Sequence, residues 1–362
     1  MYGVYVHVPW CRTRCPYCAF AVDTRLVPED AGWRTRVLAD WDRERPHFKG
    51  RPETLHFGGG TPSRAELASL AAVIRAVDPR GEVSLEANPD DVTEHALRAW
   101  KDMGVSRLSL GVQTFQPSVA SRLGRAHSAR VAVNALELAR AVGFGSVSTD
   151  ILYGHPAQTV DLLLADIAHV VDVGVEHVSV YSLTIEPGTR FGDAHQPLVD
   201  EDTWLLMHDR AAATLEAAGF ERYEVSNFAR SGFRSVHNEH YWRARPWAGL
   251  GPSAHGWRPD GLRVANVSDV DGWLGGEAPT EERVTGRARL WELIWSTLRH
   301  MDGVDRERIL ALTGVHVTAP HEALDAGLLL DDGQSIRLGK GGFCLADALT
   351  EAVVAASVRN WA

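Results

Sequence analysis

Three cysteines fall within eight residues, Cys11, Cys15 and Cys18 in VPWCRTRCPYCAF, directly after a β-branched apolar run. The CxxxCxxC spacing lets one short loop wrap three thiolates around a single inorganic centre. A cubane iron–sulfur cluster held by three cysteines keeps one iron without a protein ligand, and that iron is open to a small chelating molecule. Electron-transfer ferredoxins usually close the corner with a fourth cysteine. The competing reading is zinc, which in a structural site takes four protein ligands, usually from paired CxxC units. His7 could complete such a set. Cys344, in GGFCLAD, stands alone and reads as a small buried apolar residue.

Other polar residues close short β-branched runs. Glu86, Gln113 and Asp150 each end one, where side chains of neighbouring strands converge above a barrel. Gly58, Gly59 and Gly60 follow another and precede Thr61. Without side chains they would let a ligand approach the backbone closely, although glycines alone could equally make a turn.

The runs that carry these residues are Val4 to Val8, Thr54 to Phe57, Glu82 to Glu86, Arg107 to Val112, Ser146 to Leu152 and His177 to Leu183. Between them, Ala65 to Val77, Thr93 to Met103, Ala129 to Val142 and Val160 to Val173 have apolar residues at helical spacing. Gly104, Gly143 and Gly174 mark helix ends. Six strand-helix units predict an α/β fold, a parallel sheet curved into a partial (β/α)6 barrel within residues 1–250, with its ligand site at the strands' C-terminal ends. Beyond Leu183 the rhythm gives a helix over Asp202 to Ala218 and then a loop region to about Asn266, rich in aromatics, histidine and glycine. From residue 285 to 362 a small, mainly helical, winged-helix-like domain is expected, with a strand pair near Leu328 to Leu338.

Composition narrows the class. The 362 residues are 45% hydrophobic and 23% charged, enough apolar material for a full core. The net charge of −10, from 47 acidic against 37 basic residues, argues against a broad nucleic-acid or anionic-membrane footprint. No apolar run of about 18 residues stands out as a transmembrane segment, and the N-terminus lacks a signal-peptide pattern. A clustered cysteine set in so long a chain reads as metal binding in a reducing compartment, so a cytoplasmic protein is expected.

The cysteine loop after the first strand of a β/α series resembles the radical-SAM superfamily, and YVHVPWCRTRCPYCAF resembles its oxygen-independent coproporphyrinogen III oxidase family. The similarity continues through FGGGTP, EANPD, RLSLGVQTF, LGRAH, DILYGHPAQT and YEVSNFA, in that order along the chain. It implies a 4Fe-4S cluster on Cys11, Cys15 and Cys18 and S-adenosylmethionine as cofactor. By the same resemblance Gly59, Gly60, Thr61, Glu86, Gln113, Arg125 and Asp150 match cofactor-binding positions, with Tyr5 and Tyr17 near the cofactor.

Within that family two departures point away from porphyrinogen decarboxylation. The oxidases carry a fourth cysteine two residues after the third, where this chain has Phe20, and they bear an N-terminal extension, whereas here the first strand starts at Val4. Both features resemble the heme-chaperone branch. HNEHYW at 237–242 fits the HNxxYW signature of that branch. Heme needs an axial donor and an aromatic wall, and His237 with Tyr241 and Trp242 offers both. The same residues could instead buttress a domain junction. Ser235 stands where many relatives have cysteine, His240 occupies a variable position, and GLGPSAHGW makes His255 a further candidate. The resemblance therefore implies a heme chaperone that binds heme and passes it to an acceptor protein. The alternatives it leaves are a radical methyltransferase or cyclopropanase acting on an aromatic metabolite, and coproporphyrinogen oxidation itself.

Overall fold

The computed structural model describes residues 1–25 and 32–358. Its first part alternates strands and helices: β1 (Gly3–Val8), α1 (Trp33–Glu44), β2 (Thr54–Gly59), α2 (Leu67–Val77), β3 (Val83–Ala87), α3 (Glu94–Asp102), β4 (Arg107–Gln113), α4 (Pro117–Arg122), α5 (Ala129–Val142), β5 (Ser146–Tyr153), α6 (Val160–Val173), β6 (His177–Ser182), α7 (Arg190–Asp193) and α8 (Glu201–Ala217). Helix starts are set by side chains that accept orphan backbone N–H groups. Thr93 takes that of Ala96 at 3.1 Å, Thr159 that of Leu162 at 3.3 Å and Asp200 that of Thr203 at 2.8 Å. The helices α5 and α6 stop at Gly143 and Gly174, both left-handed.

Strands β1 to β6 lie side by side in chain order and all parallel. Period-two alternation then sorts their side chains. Val4, Val6 and Val8 of β1, Leu55 and Phe57 of β2 and Leu108 and Leu110 of β4 turn to the helices, where they are fully buried against Val37, Leu70, Leu97, Leu136 and Ile167. Each such side chain contributes about 1.5–3 kcal/mol of apolar burial. The opposite positions, Ser84, Glu86, Ser109, Ser148, Asp150 and Ser179, line a cavity instead. The sheet interior is thus polar from β3 to β6.

The segment after α8 departs from the expected loop region. It forms β7 (Glu221–Arg222), β8 (Asn227–Ala229), α9 (Val236–Trp242), β9 (Trp247–Leu250), β10 (His255–Trp257), β11 (Leu262–Ala265), α10 (Val270–Leu274) and β12 (Thr280–Arg283). These short strands extend the sheet at both edges, giving the order β12-β11-β10-β9-β1-β2-β3-β4-β5-β6-β8-β7. β8 pairs antiparallel with β6, while β9 pairs parallel with β1, so a single segment closes both sides of the six-stranded core. The reason is backbone accounting: β1 and β6 would otherwise present unpaired edges.

The remainder comprises α11 (Gly286–Leu298), β13 (Val304–Asp305), α12 (Arg306–Thr313), α13 (His321–Asp325), β14 (Leu329–Asp331), β15 (Ser335–Leu338) and α14 (Ala346–Val358). It has its own apolar cluster around Leu290, Ile294, Leu298, Ile309, Val353 and Val354, which Trp257 and Ala244 join. One stretch, Lys340–Val358, is long and apolar enough to cross a membrane by length and composition alone. Its apolar residues Leu349, Val353 and Val354 are buried in this second core, as in the core helix of a folded domain. Cys344 is only half-buried, its thiol donating to the Gly341 carbonyl at 3.4 Å.

Candidate functional site

The loop that leaves β1 is closed by its own backbone. Cys11 N–H donates to Asp23 O at 2.9 Å, Asp23 N–H to Pro9 O at 2.8 Å and Cys18 N–H to Cys15 O at 3.2 Å. Arg14 adds bonds to the carbonyls of Cys18 and Phe20, at 3.1 and 3.2 Å. Cys11, Cys15 and Cys18 thereby line one wall of a cavity of about 500 Å³ at the C-terminal ends of the parallel strands. Burial pushes the Cys11 and Cys18 thiols above their ordinary range, so in the metal-free protein both favour the protonated form.

Among the described residues no three His, Cys, Asp or Glu side chains converge to hold a single metal ion. Zinc requires such convergence, whereas a cubane presents its irons at separate corners. His7 is also unavailable as a fourth zinc donor, because its Nδ1 meets Tyr5 Oη at 2.9 Å and its Nε2 meets Ala21 O at 2.8 Å. Three half-buried thiols on one cavity wall, with His7 engaged elsewhere, fit an iron–sulfur cluster.

Opposite the cysteines, β2 runs into Gly59 and Gly60. Gly59 has a φ of 106°, and a Cβ there would lie 2.5 Å from the His7 ring. A Cβ on Gly60 would meet the backbone of Pro9 and Val8 at 2.8 Å. Side chains here would push the cysteine loop off the sheet, which gives the glycines a steric reason beyond a turn. Thr61 follows, its Oγ1 3.4 Å from Cys11 Sγ and 3.3 Å from Asn88 Nδ2.

Arg125 connects the far wall to the loop. Its Nη1 donates to Cys15 Sγ at 3.7 Å, its Nη2 donates to Asn88 Oδ1 at 2.7 Å and to the Gly111 carbonyl, and its Nε is buried without a partner. A guanidinium in that place sets a fixed positive charge beside the cysteine loop and keeps one donor free. Gln113, at the end of β4, has a φ of 71°, a left-handed conformation rare for a non-glycine residue, where the β4–β5 register shifts. The irregularity puts its side chain in the cavity.

Glu86 and Asp150 face the same space. Glu86 lies 3.3 Å from His56 Nε2, and Asp150 accepts from Ser109 Oγ at 3.4 Å. Burial first, and the charge of Glu86 second, push Asp150 up to about 7. The side chain of Tyr17 lines the cavity too, its ring tilted against that of Phe191 with 6.4 Å between ring centres.

Two of the expected residues lie outside the lining of this cavity. Tyr5 is not among the residues lining this cavity; its hydroxyl is held by His7 and its ring stacks on His56 at 5.9 Å, facing a separate, smaller cavity. His237 is no available donor: it is 1% exposed in α9, with Nδ1 on Thr54 Oγ1 at 2.7 Å and Nε2 on Tyr241 Oη at 2.8 Å. Burial also holds its pKa well below the usual histidine value, so the ring is neutral and fully engaged. Trp242 turns away to stack obliquely on Trp295 of α11, 5.9 Å between centres. The sequence reading missed Asn88 and His56 as site residues. Asn88 stood inside the EANPD motif, and His56 shares the inward period of Glu86 on the next strand.

Residues 5–170 match the profile described as the Radical SAM superfamily, which defines the class to which this sheet and its cysteine loop belong. Over nearly the whole length the chain is 31% identical to the Escherichia coli protein named heme chaperone HemW, covering 98% of each. It is 34% identical to the bovine mitochondrial radical S-adenosyl methionine domain-containing protein 1, covering 99% of this chain and 88% of that one. The chain belongs to the HemW heme-chaperone family of radical-SAM proteins. Its fold is that of the coproporphyrinogen III oxidase HemN from E. coli, with a TM-score of 0.81 at 20% identity over 97% of this chain and 89% of that one.

Proposed function

We propose that the chain is a heme chaperone that holds a 4Fe-4S cluster and S-adenosylmethionine, binds heme and passes it to an acceptor protein in the cytoplasm. The observation that carries this reading is the chain-long similarity to HemW, together with the three-thiol wall of the large cavity. Cys11, Cys15 and Cys18 would anchor the cluster, and Arg125 would balance its negative charge from the side of Cys15. Gln113, Glu86 and Asp150 would orient the cofactor, with Gly59, Gly60 and Thr61 giving it backbone access. When bound, the cluster supplies an electron to the sulfonium centre of S-adenosylmethionine. The strands and helices around the cavity exclude water from that chemistry, whether or not it turns over in the chaperone cycle.

Anaerobic reconstitution followed by hemin titration tests the reading. The expected result is a saturable hemin difference spectrum in the Soret region and loss of bound heme to an apo-heme protein added afterwards. Absence of hemin binding, with steady cleavage of S-adenosylmethionine and modification of an added aromatic metabolite, would overturn it in favour of a radical methyltransferase.

A further inference from the structure

The smaller cavity lies beside the cysteine loop and measures about 350 Å³, within the size range of ligand sites. Tyr5, Phe20, Tyr241 and Trp247 supply aromatic walls, and two histidines, His7 and His255, also line it. Phe20 is 61% exposed, an aromatic ring held in water at the rim. It lines the cofactor cavity as well, so the loop that carries Cys18 contributes a wall to both spaces. No carboxylate lines the smaller cavity.

An iron-containing macrocycle needs a ring nitrogen with a free lone pair. His7 has none to spare, since Tyr5 and Ala21 occupy both nitrogens. His237, immediately behind Tyr241, is likewise committed on both sides. His255 differs. It is exposed at the start of β10, and its imidazole has no hydrogen bond, ion pair or ring contact among the described residues. Its carbonyl accepts from Trp247 Nε1 at 2.8 Å, which fixes the backbone of His255 against one of the cavity's own walls while the ring stays unengaged.

Resting on the chaperone reading above, we propose that this cavity is the heme site and that His255 is the axial ligand. The macrocycle lies against Tyr241, Trp247 and Phe20, with its propionates at the open mouth. His237 then has a positioning role: its Nε2 fixes the hydroxyl of Tyr241, whose ring stands edge-on to Trp247 at 4.9 Å between centres. An exposed ligand on an open cavity suits a cargo that has to leave.

Hemin titration of the full chain, reconstituted anaerobically and read as difference spectra, tests this assignment. His255→Ala is expected to weaken hemin binding about tenfold or more and to change the Soret and visible bands, because the axial nitrogen is gone. Free imidazole added to that variant should restore the wild-type bands. His237→Phe should keep the wild-type bands with weaker affinity, and His316→Ala, an exposed histidine of the C-terminal domain, should change neither; far-UV circular dichroism reports that each variant is folded. Unchanged affinity and bands in His255→Ala, beside a wild type that binds hemin, would overturn the ligand assignment and leave the chaperone reading intact. Loss of the wild-type bands in folded His237→Phe alone would also overturn it. A wild type that binds no hemin would overturn both.

Discussion

The two cavities share Phe20 and little else. The cofactor cavity is delivered by consecutive parallel strands, each placing a polar side chain inward two residues from the next, and by one loop nine to eighteen residues into the chain. The smaller cavity is assembled from β1, the cysteine loop, α9 and the β9–β10 hairpin, pieces more than 200 residues apart at their extremes in the chain. One is acidic at its base, through Glu86 and Asp150; the other is aromatic. A site built from a repeating unit tolerates loss of single contacts, while one built from distant pieces depends on the ties that hold them.

Those ties are polar and buried. Asp40 of α1, fully buried, accepts from Gly251 N–H at 3.0 Å, Asn266 Nδ2 at 3.1 Å and Trp273 Nε1 at 3.0 Å. Glu44, one turn on, receives two bonds of 2.9 Å from Arg258 of the β10–β11 turn and a further one from Arg43 at 2.9 Å. Together they seat the added edge strands on α1 and so place His255 and Trp247 beside β1.

The strongest way to separate the cavities is to remove the metal. Cys15→Ser should abolish the iron–sulfur absorbance after anaerobic reconstitution, as should the same change at Cys11 or Cys18. Because β9 and β10, which carry Trp247 and His255, are seated on α1 and not on the cysteine loop, each variant should still bind hemin within about threefold of wild type. Iron content and hemin titration on one preparation check both halves. Loss of hemin binding along with iron would show that the cluster itself shapes the Phe20 wall.

The converse experiment is Arg258→Met. It removes the bidentate partner of a buried carboxylate, and breaking such a pair costs about 3 kcal/mol, here moderated by Arg43, which still reaches Glu44. Chemical denaturation should show that loss. Hemin affinity should fall with it while iron incorporation remains at the wild-type level, since no cluster contact runs through β10. Equal losses of iron and hemin would dissolve the distinction between the two sites.

The same difference in construction decided what the sequence disclosed. The strands β1 to β6, four of the crossing helices and the cysteine loop each carry a local signal: β-branched runs, three- and four-residue spacing, or three thiols in a row. Glu86 and Gln113 were visible because they stand at the ends of those runs, and Asp150 because it is a lone carboxylate near the end of one. The helix α1 was invisible because its buried face includes Asp40 and Glu44, so the apolar period that marks a core helix is broken by charge. Strands of two to four residues, such as β7 and β10, are shorter than any alternation can be read from, and their pairing partners lie far away in sequence. His237 looked like a donor in a loop because sequence shows the residue type and not that Thr54 and Tyr241 occupy its nitrogens. The inward serines 84, 109, 148 and 179 had the right period, but embedded in β-branched runs they read as strand interior and not as cavity lining.

The smallest expected effect concerns the charge at the base of the cofactor cavity, a feature with no counterpart in the aromatic one. Asp150 has its pKa raised to about 7, first by burial and then by Glu86, so ionising it is unfavourable in the folded, metal-free protein. The sign follows from proton binding. Below about pH 4 the carboxyl is protonated in both the folded and unfolded chain and contributes nothing to the pH dependence of stability; between there and about pH 7 the folded chain holds the extra proton, so stability falls as pH rises, and above pH 7 the full penalty remains. Asp150→Asn should therefore raise the Tm of the metal-free protein by about 2 °C at pH 7.5, leave it unchanged near pH 4 and flatten the profile between. If Asp150→Asn lowered the Tm at pH 7.5, the bond from Ser109 would outweigh the desolvation of the carboxylate, and the acidic base would be a stabilising element of the barrel.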